Sequence, residues 1–248
     1  MYGFYRYNVN IHPKFRRLLC LKVIEDLNLT IFRTQGEGDE MGIIEAYKEN
    51  PCGVLSIPYW KYKHIRIPEN MCVVHDNEYI QDNFQGYHDE PYFRLYHSLK
   101  DIQTATLDGI SIVSAKHDDI PLFVDVINQS YTDLSVTFEQ LNGYTKTEVF
   151  CPELWIVAID NANSRVVGCG IADFDKELHE GIIEWIQVIP TYRSKRIGQL
   201  IVNELLKRMA GIAGFATVSG KVSNLTSPEM LYRKCGFVGN DVWHVLTK

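Results

Sequence analysis

From Gly109 onward the hydrophobic period changes block by block, from two to roughly 3.6 and back, as alternating strands and helices require. "GISIVSA" (Gly109 to Ala115) predicts a strand and "DDIPLFVDVINQSY" (Asp118 to Tyr131) an amphipathic helix. "LWIVAID" (Leu154 to Asp160) and "RVVGCGIADFD" (Arg165 to Asp175) predict strands joined by the polar turn "NANS", which suits a hairpin. "GIIEWIQVI" (Gly181 to Ile189) reads as a buried strand that stops at Pro190. The next segment sets Ile197, Ile201, Leu205 and Met209 on one stripe, widened by Leu200, Leu206 and Ile212, and predicts a helix. "FATVSGKV" (Phe215 to Val222) follows as a strand and "SPEMLYRKC" (Ser227 to Cys235) as a short helix. That helix is capped either by Thr226 with Glu229 as a capping box or by Ser227 with Pro228 at its first position, and Gly236 closes it. A last strand, "VWHVLTK", completes a mixed α/β sheet with helices on both sides.

The upstream third has a different texture, rich in Tyr, His and Asn. Helices are expected at Phe15 to Leu27 and Met41 to Lys48, and short strands at Gly53 to Ile57 and Met71 to His75; the rest reads as turn. The polar "TATLDG" (Thr104 to Gly109) marks a boundary. It divides an N-terminal α+β extension, residues 1–105, of unassigned role from a second domain, residues 106–248.

Composition narrows the function classes. The chain of 248 residues is 46% hydrophobic and 23% charged, ordinary for a soluble globular protein with a sizeable core. Its net charge of -6 argues against a broad nucleic-acid or membrane footprint while leaving room for a small basic pocket. No window approaches the roughly 20 apolar residues of a membrane span. The N-terminal apolar segment is interrupted by Lys22, Glu25 and Asp26, which is unlike a secretory signal. The six cysteines are scattered, with no C-x-x-C pair, and read as free thiols of a cytoplasmic protein. His64, His75, His88 and His97 lie near Asp76, Glu78, Asp89 and Glu90, but no pair has the spacing of a zinc motif, so no metal is expected.

One basic cluster stands out against the acidic balance. Arg193, Lys195 and Arg196 surround Ser194 just where the helix of Ile197 begins. A helix start already presents unbonded N–H groups and partial positive charge, so cations there are slightly unfavourable unless an anion binds. The residues from Ser194 to Gln199 therefore read as a pyrophosphate cradle, against the alternative of a solvated turn.

"VIPTYRSKRIGQLIVNELL" resembles the acetyl-CoA motif of the GNAT superfamily of N-acetyltransferases, V-x-P-x-x-R-x-x-G-x-G/A. "SNLTSPEMLYRKCGF" resembles that family's second hallmark, N-x-x-(A/S)-x-x-L-Y-x-K-x-G-F, and follows in the expected order. The resemblance covers roughly residues 110–248 and implies a GNAT acyl-CoA N-acyltransferase fold, with acetyl-CoA as co-substrate. It implies that the strands before and after the helix of Ile197 splay apart. The pantetheine arm would then bond to main-chain groups of Ile186, Gln187 and Val188, and the pyrophosphate would rest on Arg193, Ser194, Lys195, Arg196, Ile197, Gly198 and Gln199. The family's first glycine falls at Arg196, while Gly198 holds the second. Either Arg196 keeps an α-region backbone that tolerates a β-carbon and swings outward to a CoA phosphate, or the pocket is crowded and binds weakly.

Acetyl transfer to an amine needs a base, an oxyanion donor and an acid for the leaving thiolate, because a lysine-like amine, pKa about 10.4, arrives protonated. Glu184 interrupts an apolar strand and is the candidate base; the bland alternative is a structural or solvated carboxylate. A bulge in this strand, common in the family, would change which later residues share its face, and water could relay the proton to Glu184, Asp173 or Asp175. The resemblance implies the N–H near Val188 as oxyanion donor, Tyr232 as general acid and Asn224 as a ligand of the pantetheine or of a water; Tyr232 could equally pack under the cofactor and Asn224 form a turn. Cys235 reads as a buried thiol.

Asp173, Asp175, Glu177, His179 and Glu180 form either an acidic rim that attracts a cationic amine or an ordinary solvated hairpin. The acceptor expected is a small-molecule or peptide amine, attacked directly in a ternary complex. The upstream region would fold over it as a lid or supply a homodimer contact. The runner-up is a non-catalytic acyl-CoA-binding sensor or interaction module on the same fold. A third reading is an unrelated α/β domain holding a different anion.

Overall fold

Strands and helices follow one another from Met71 to Thr247 in the order that the hydrophobic pattern predicts, with two additions. The structure, a computed structural model, describes residues 40–53, 70–104, 106–131, 134–224 and 226–248. The expected helix at Phe15 to Leu27, most of the strand at Gly53 to Ile57, and His64 lie outside the described residues. The strands are β1 (Met71–His75), β2 (His88–His97), β3 (Ile110–Ser114), β4 (Phe150–Asp160), β5 (Arg165–Asp175), β6 (Glu180–Val188), β7 (Phe215–Lys221) and β8 (Val238–Thr247). The helices of about two turns or more are α1 (Glu40–Glu49), α2 (Ile120–Ser130), α3 (Phe138–Tyr144), α4 (Ile197–Met209) and α5 (Pro228–Lys234). The eight strands form one sheet in the order β1-β8-β2-β7-β6-β5-β4-β3.

The additions are β2 and α3. "HDEPYFRLYH" reads as turn in sequence because it opens on His, Asp, Glu and Pro; its later half is buried from Tyr92 to Leu95, Arg94 included, so no alternation shows. The signal for α3 is a capping box: Thr137 Oγ1 accepts from the Gln140 N–H at 3.2 Å and Gln140 Oε1 accepts from the Thr137 N–H at 2.8 Å. The expected capping box at Thr226 does not form. Ser227 occupies the N-cap of α5 with no side-chain cap and Pro228 follows at the first turn, while Gly236, at φ 95°, closes the helix.

Two compact units divide the chain, one of residues 93–240 and the other of the described residues of 2–92 with 241–248. In the second unit β1 and β8 pair antiparallel, Met71 opposite Thr247 through His75 opposite Trp243. The Trp243 indole N–H donates to the Cys52 carbonyl at 3.0 Å. His75 Nε2 meets Asp241 at 3.0 Å, and His244 meets Asp89 at 2.9 Å and Asp76 at 3.1 Å. His75 and His244 therefore hold carboxylates of this unit. Among the described residues no three His, Cys, Asp or Glu side chains gather so as to hold a metal ion, and no helix is long and apolar enough to cross a membrane.

In the larger unit β3, β4, β5 and β6 run antiparallel in sequence, and α4 carries the chain over to β7, which lies parallel to β6. The sheet is covered on both faces. Phe123 of α2 packs on Trp155 at 5.2 Å between ring centroids. On the opposite face a β-carbon at Gly170 would lie 2.6 Å from Ile201 Cγ2 and 3.0 Å from Leu205 Cδ1, and one at Gly181 would lie 2.5 Å from Met209 Sδ. α4 therefore sits directly on the backbone of β5 and β6, and its N-terminus is held at one fixed place beside the end of β6.

Candidate active site

β6 and β7 pair for only four residues each, from Glu180 opposite Phe215 to Ile183 opposite Val218. Beyond them the strands have no common register, so a gap opens between Glu184–Val188 and Ser219–Lys221. A β-bulge marks the same place on the other edge of β6: Ile183 faces Ala172 and Trp185 faces Ile171, which makes Glu184 the extra residue. Past the bulge, Trp185 and Gln187 are buried while Glu184, Ile186 and Val188 are half-buried. The Ile189 N–H donates to the Val167 carbonyl at 3.0 Å, toward β5. Because main-chain groups alternate sides along a strand, the amides of Val188 and Ile186 face away from β5, into the gap.

The basic loop closes one end of this gap. Ser194 and Arg196 both adopt left-handed backbone, each at φ 63°, and Arg196 forms the N-cap of α4 without a side-chain cap. Among the described residues, the backbone N–H groups from Ser194 to Gln199 donate to no protein acceptor; the first helical bond is Leu200 N–H to the Arg196 carbonyl. These donors, at the positive end of a helix of 13 residues, constitute an anion nest. The structure corrects the expectation of an α-region backbone at Arg196: it occupies the left-handed region, where glycine is at home and a β-carbon costs about 1–2 kcal/mol. Arg196→Gly removes that strain and loses a smaller amount to backbone freedom, so the melting temperature of the unliganded protein rises by about 2 °C in calorimetry.

The cations differ in what they hold. Arg193 turns back from the nest: its Nε donates to the Val188 carbonyl at 3.2 Å and its Nη2 to the Ser130 carbonyl at 2.7 Å, tying the end of α2 to the end of β6. The Lys195 ammonium lies over the Tyr192 ring at 4.5 Å from the centroid. The Tyr192 hydroxyl in turn donates to Asp160 at 2.6 Å. That hydroxyl, then the Ala162 N–H, the Asn163 amide and the Lys195 charge, hold the Asp160 carboxyl below the usual carboxylate range against a smaller effect of burial. Arg196 is exposed at the mouth of the nest.

Tyr232, on α5, is completely buried among Phe93 and Phe237, with centroids at 6.2 Å and 5.8 Å. Its hydroxyl has no hydrogen-bond partner among the described residues. Burial, then the neighbouring Tyr131, Cys235 and Glu184, push its pKa well above the usual phenol value. Glu184 and Tyr232, distant in sequence, thus come within electrostatic reach of each other. Tyr131 carried no signal in the sequence. It arrives at the end of α2, where the Gln187 amide donates to its hydroxyl at 2.8 Å and its ring stands edge-on to Trp185 at 6.4 Å. Cys235 is buried with its thiol pushed up to about 12, chiefly by desolvation, as an inert thiol would be. Asn224 forms a turn: its Oδ1 accepts from the Thr226 N–H at 2.9 Å and hydroxyl at 2.7 Å.

The acidic run from the end of β5 to the start of β6 does not form a rim, since of its acidic residues and histidine only Glu177 and His179 are exposed. Glu180 is fully buried, and Asp173 and Asp175 are nearly so. Asp175 Oδ1 accepts from the N–H groups of Glu177 at 3.0 Å and Leu178 at 3.1 Å, shaping the turn. These carboxylates belong to the fold's interior rather than to an approaching amine.

The acetyltransferase (GNAT) domain family matches residues 152–239, which spans the gap, the nest and Tyr232. No curated protein sequence matches the chain. Among solved structures, a GCN5-related N-acetyltransferase from Sphaerobacter thermophilus superposes with a TM-score of 0.60 at 17% identity, over 87% of this chain and 69% of that one. A conserved protein of unknown function from Staphylococcus epidermidis gives 0.52 at 14%, over 81% and 88%. The glucosamine N-acetyltransferase region of a fungal multi-domain β-N-acetylglucosaminidase gives 0.51 at 14%, over 66% of this chain and 21% of that one. At these identities the likeness is one of fold.

Proposed function

We propose, for a chain whose C-terminal part carries a GNAT-superfamily domain, that it moves an acetyl group from acetyl-CoA to a primary amine. The observation that carries the reading is the set of amides from Ser194 to Gln199, which suit an anionic partner and sit at the end of a gap whose other donors are main-chain groups of β6. The residues fit the cofactor on this ground, and the buried Tyr232 hydroxyl without a partner fits it too. Ser194, Lys195, Arg196, Ile197, Gly198 and Gln199 would hold the diphosphate, and Ile186 and Val188 the pantetheine amides. Arg193 contributes by bracing β6 against α2 more than by touching phosphate.

When bound, acetyl-CoA supplies a thioester activated toward attack. Glu184, directly or through a water, takes the proton from the incoming ammonium so that the amine attacks as the free base. The Val188 N–H faces the gap and donates to the carbonyl oxygen as negative charge grows there. Tyr232, kept protonated by burial, would supply the proton for the leaving sulfur and regain one from the attacking nitrogen as that nitrogen becomes the amide, so no buried tyrosinate is left behind. Cys52, Cys72, Cys151, Cys169 and Cys235 form no disulfide, which suits a reaction run in a reducing cytoplasm.

Calorimetric titration of the full chain with acetyl-CoA, followed by thiol release with glycinamide, spermidine, tyramine and glucosamine, tests the proposal. Binding with turnover of at least one amine is expected. Binding without turnover would favour a non-catalytic acyl-CoA module, and no heat at millimolar acetyl-CoA would end the reading.

A further inference from the structure

A buried ion pair lies beside the gap and takes no part in the chemistry above. Glu180, the first residue of β6, has a completely buried side chain, and its Oε1 accepts from Arg94 Nη2 at 3.3 Å and from the Thr217 hydroxyl. Arg94 belongs to β2, which lies on the other side of β7 from β6, and its side chain is 4% exposed. Its second amino group, Nη1, donates to Ser219 Oγ at 3.2 Å. One guanidinium therefore reaches across β7 and holds both the first residue of β6 and a residue of β7.

The residues held span the paired segment from its first residue to just past its end. The common register of β6 and β7 starts at Glu180 and ends at Val218, and Ser219 is the next residue along β7. Thr217, which shares the Glu180 carboxylate, is the last residue but one inside the paired segment. The ion pair thus clasps the closed half of the two strands, and its third arm draws the first residue of the open half toward β2.

Cohesion alone does not account for such a device. Taking two charges out of water is costly, and apolar residues of the same volume often hold a core as well or better. What apolar residues lack is direction: a guanidinium is a rigid planar fork whose two amino groups point along set lines. We propose that Arg94 is a positioning residue that fixes where β7 leaves β6 and so sets the width of the gap that receives the cofactor arm. This rests on reading that gap as the acetyl-CoA site. With the fork removed, Ser219 and the residues after it are no longer drawn toward β2. β7 relaxes along β6, the gap narrows, and acetyl-CoA binds more weakly while the proton-transfer groups keep their places.

The test is calorimetric titration of the full chain with acetyl-CoA, with melting temperatures measured alongside. Ser219→Ala removes one arm of the clasp at a half-buried site, and Ser219→Thr keeps the hydroxyl. Arg94→Met with Glu180→Gln removes the fork and the carboxylate it pairs with together, and keeps an acceptor for Thr217. Ser219→Ala is expected to weaken acetyl-CoA binding about fivefold and the double variant about tenfold or more. Ser219→Thr should bind as wild type does, and the melting temperature of Ser219→Ala should stay within about 2 °C of wild type. Wild-type affinity in Ser219→Ala would overturn the proposal, and Ser219→Ala decides the matter alone if the double variant does not fold. Absence of heat from the wild type would instead remove the reading of the gap on which the proposal stands.

Discussion

Tyr232→Phe lowers kcat by about a hundredfold or more while acetyl-CoA binding stays within about twofold of wild type. The hydroxyl is the only group removed, and it has no partner among the described residues, so the substitution breaks no bond that holds α5 in place. A buried unpaired hydroxyl costs about 1–3 kcal/mol, and the substitution relieves the protein of it, so the variant should melt slightly higher, not lower. Loss of turnover with a gain in stability is a combination that a merely packing role cannot produce. The pH dependence has a definite sign. Because burial raises the Tyr232 pKa in the folded state, the proton stays on through the usual phenol range and causes no fall in rate below pH about 10. The corresponding stability is present below that pH and is lost as pH rises toward the higher folded value. Steady-state kinetics and calorimetry on the two proteins check both statements; a phenylalanine variant with wild-type kcat would remove Tyr232 from the mechanism.

Glu184→Gln carries the second large effect. The amide keeps the size and much of the hydrogen bonding of the carboxylate at the bulge but cannot take a proton, so kcat/KM should fall by about 10²–10⁴. The residual rate should depend on the free-base fraction of the amine and rise with pH toward the amine's own pKa, about 10.4 for a lysine-like acceptor. Rates across pH with an amine that the wild type accepts measure this. A glutamine variant at full rate and with an unchanged profile would mean that some other group, or solvent, removes the proton.

Much of this site was legible in the chain because its signals are local. A glutamate inside an apolar strand, cations just ahead of a helix, and a tyrosine shortly before Cys-Gly-Phe can all be read without neighbours. What could not be read depends on a partner strand. The bulge at Glu184 exists only relative to β5, since Ala172 and Ile171 define which residue of β6 is extra. β2 hid because Arg94, a polar residue in sequence, is an interior residue once Glu180 is beside it. For the same reason Glu180 looked like surface charge. Tyr131 reaches the site through the docking of α2 on β6, by way of Gln187, and no spacing announces that. Arg196 is the intermediate case: its mismatch with a glycine position was visible, but its left-handed backbone is a property of the turn between Ser194 and α4.

The nest at the start of α4 is made of main chain, and its donors are insulated from most mutation as a result. Exchange of the side chain at any position from Ser194 to Gln199 leaves the N–H in place, so the loop can drift in charge and size while keeping its donors; only proline deletes one outright. An arginine can therefore stand in a left-handed position at a cost in strain without removing a donor, and residue identity in this loop is a poor guide to whether the nest persists.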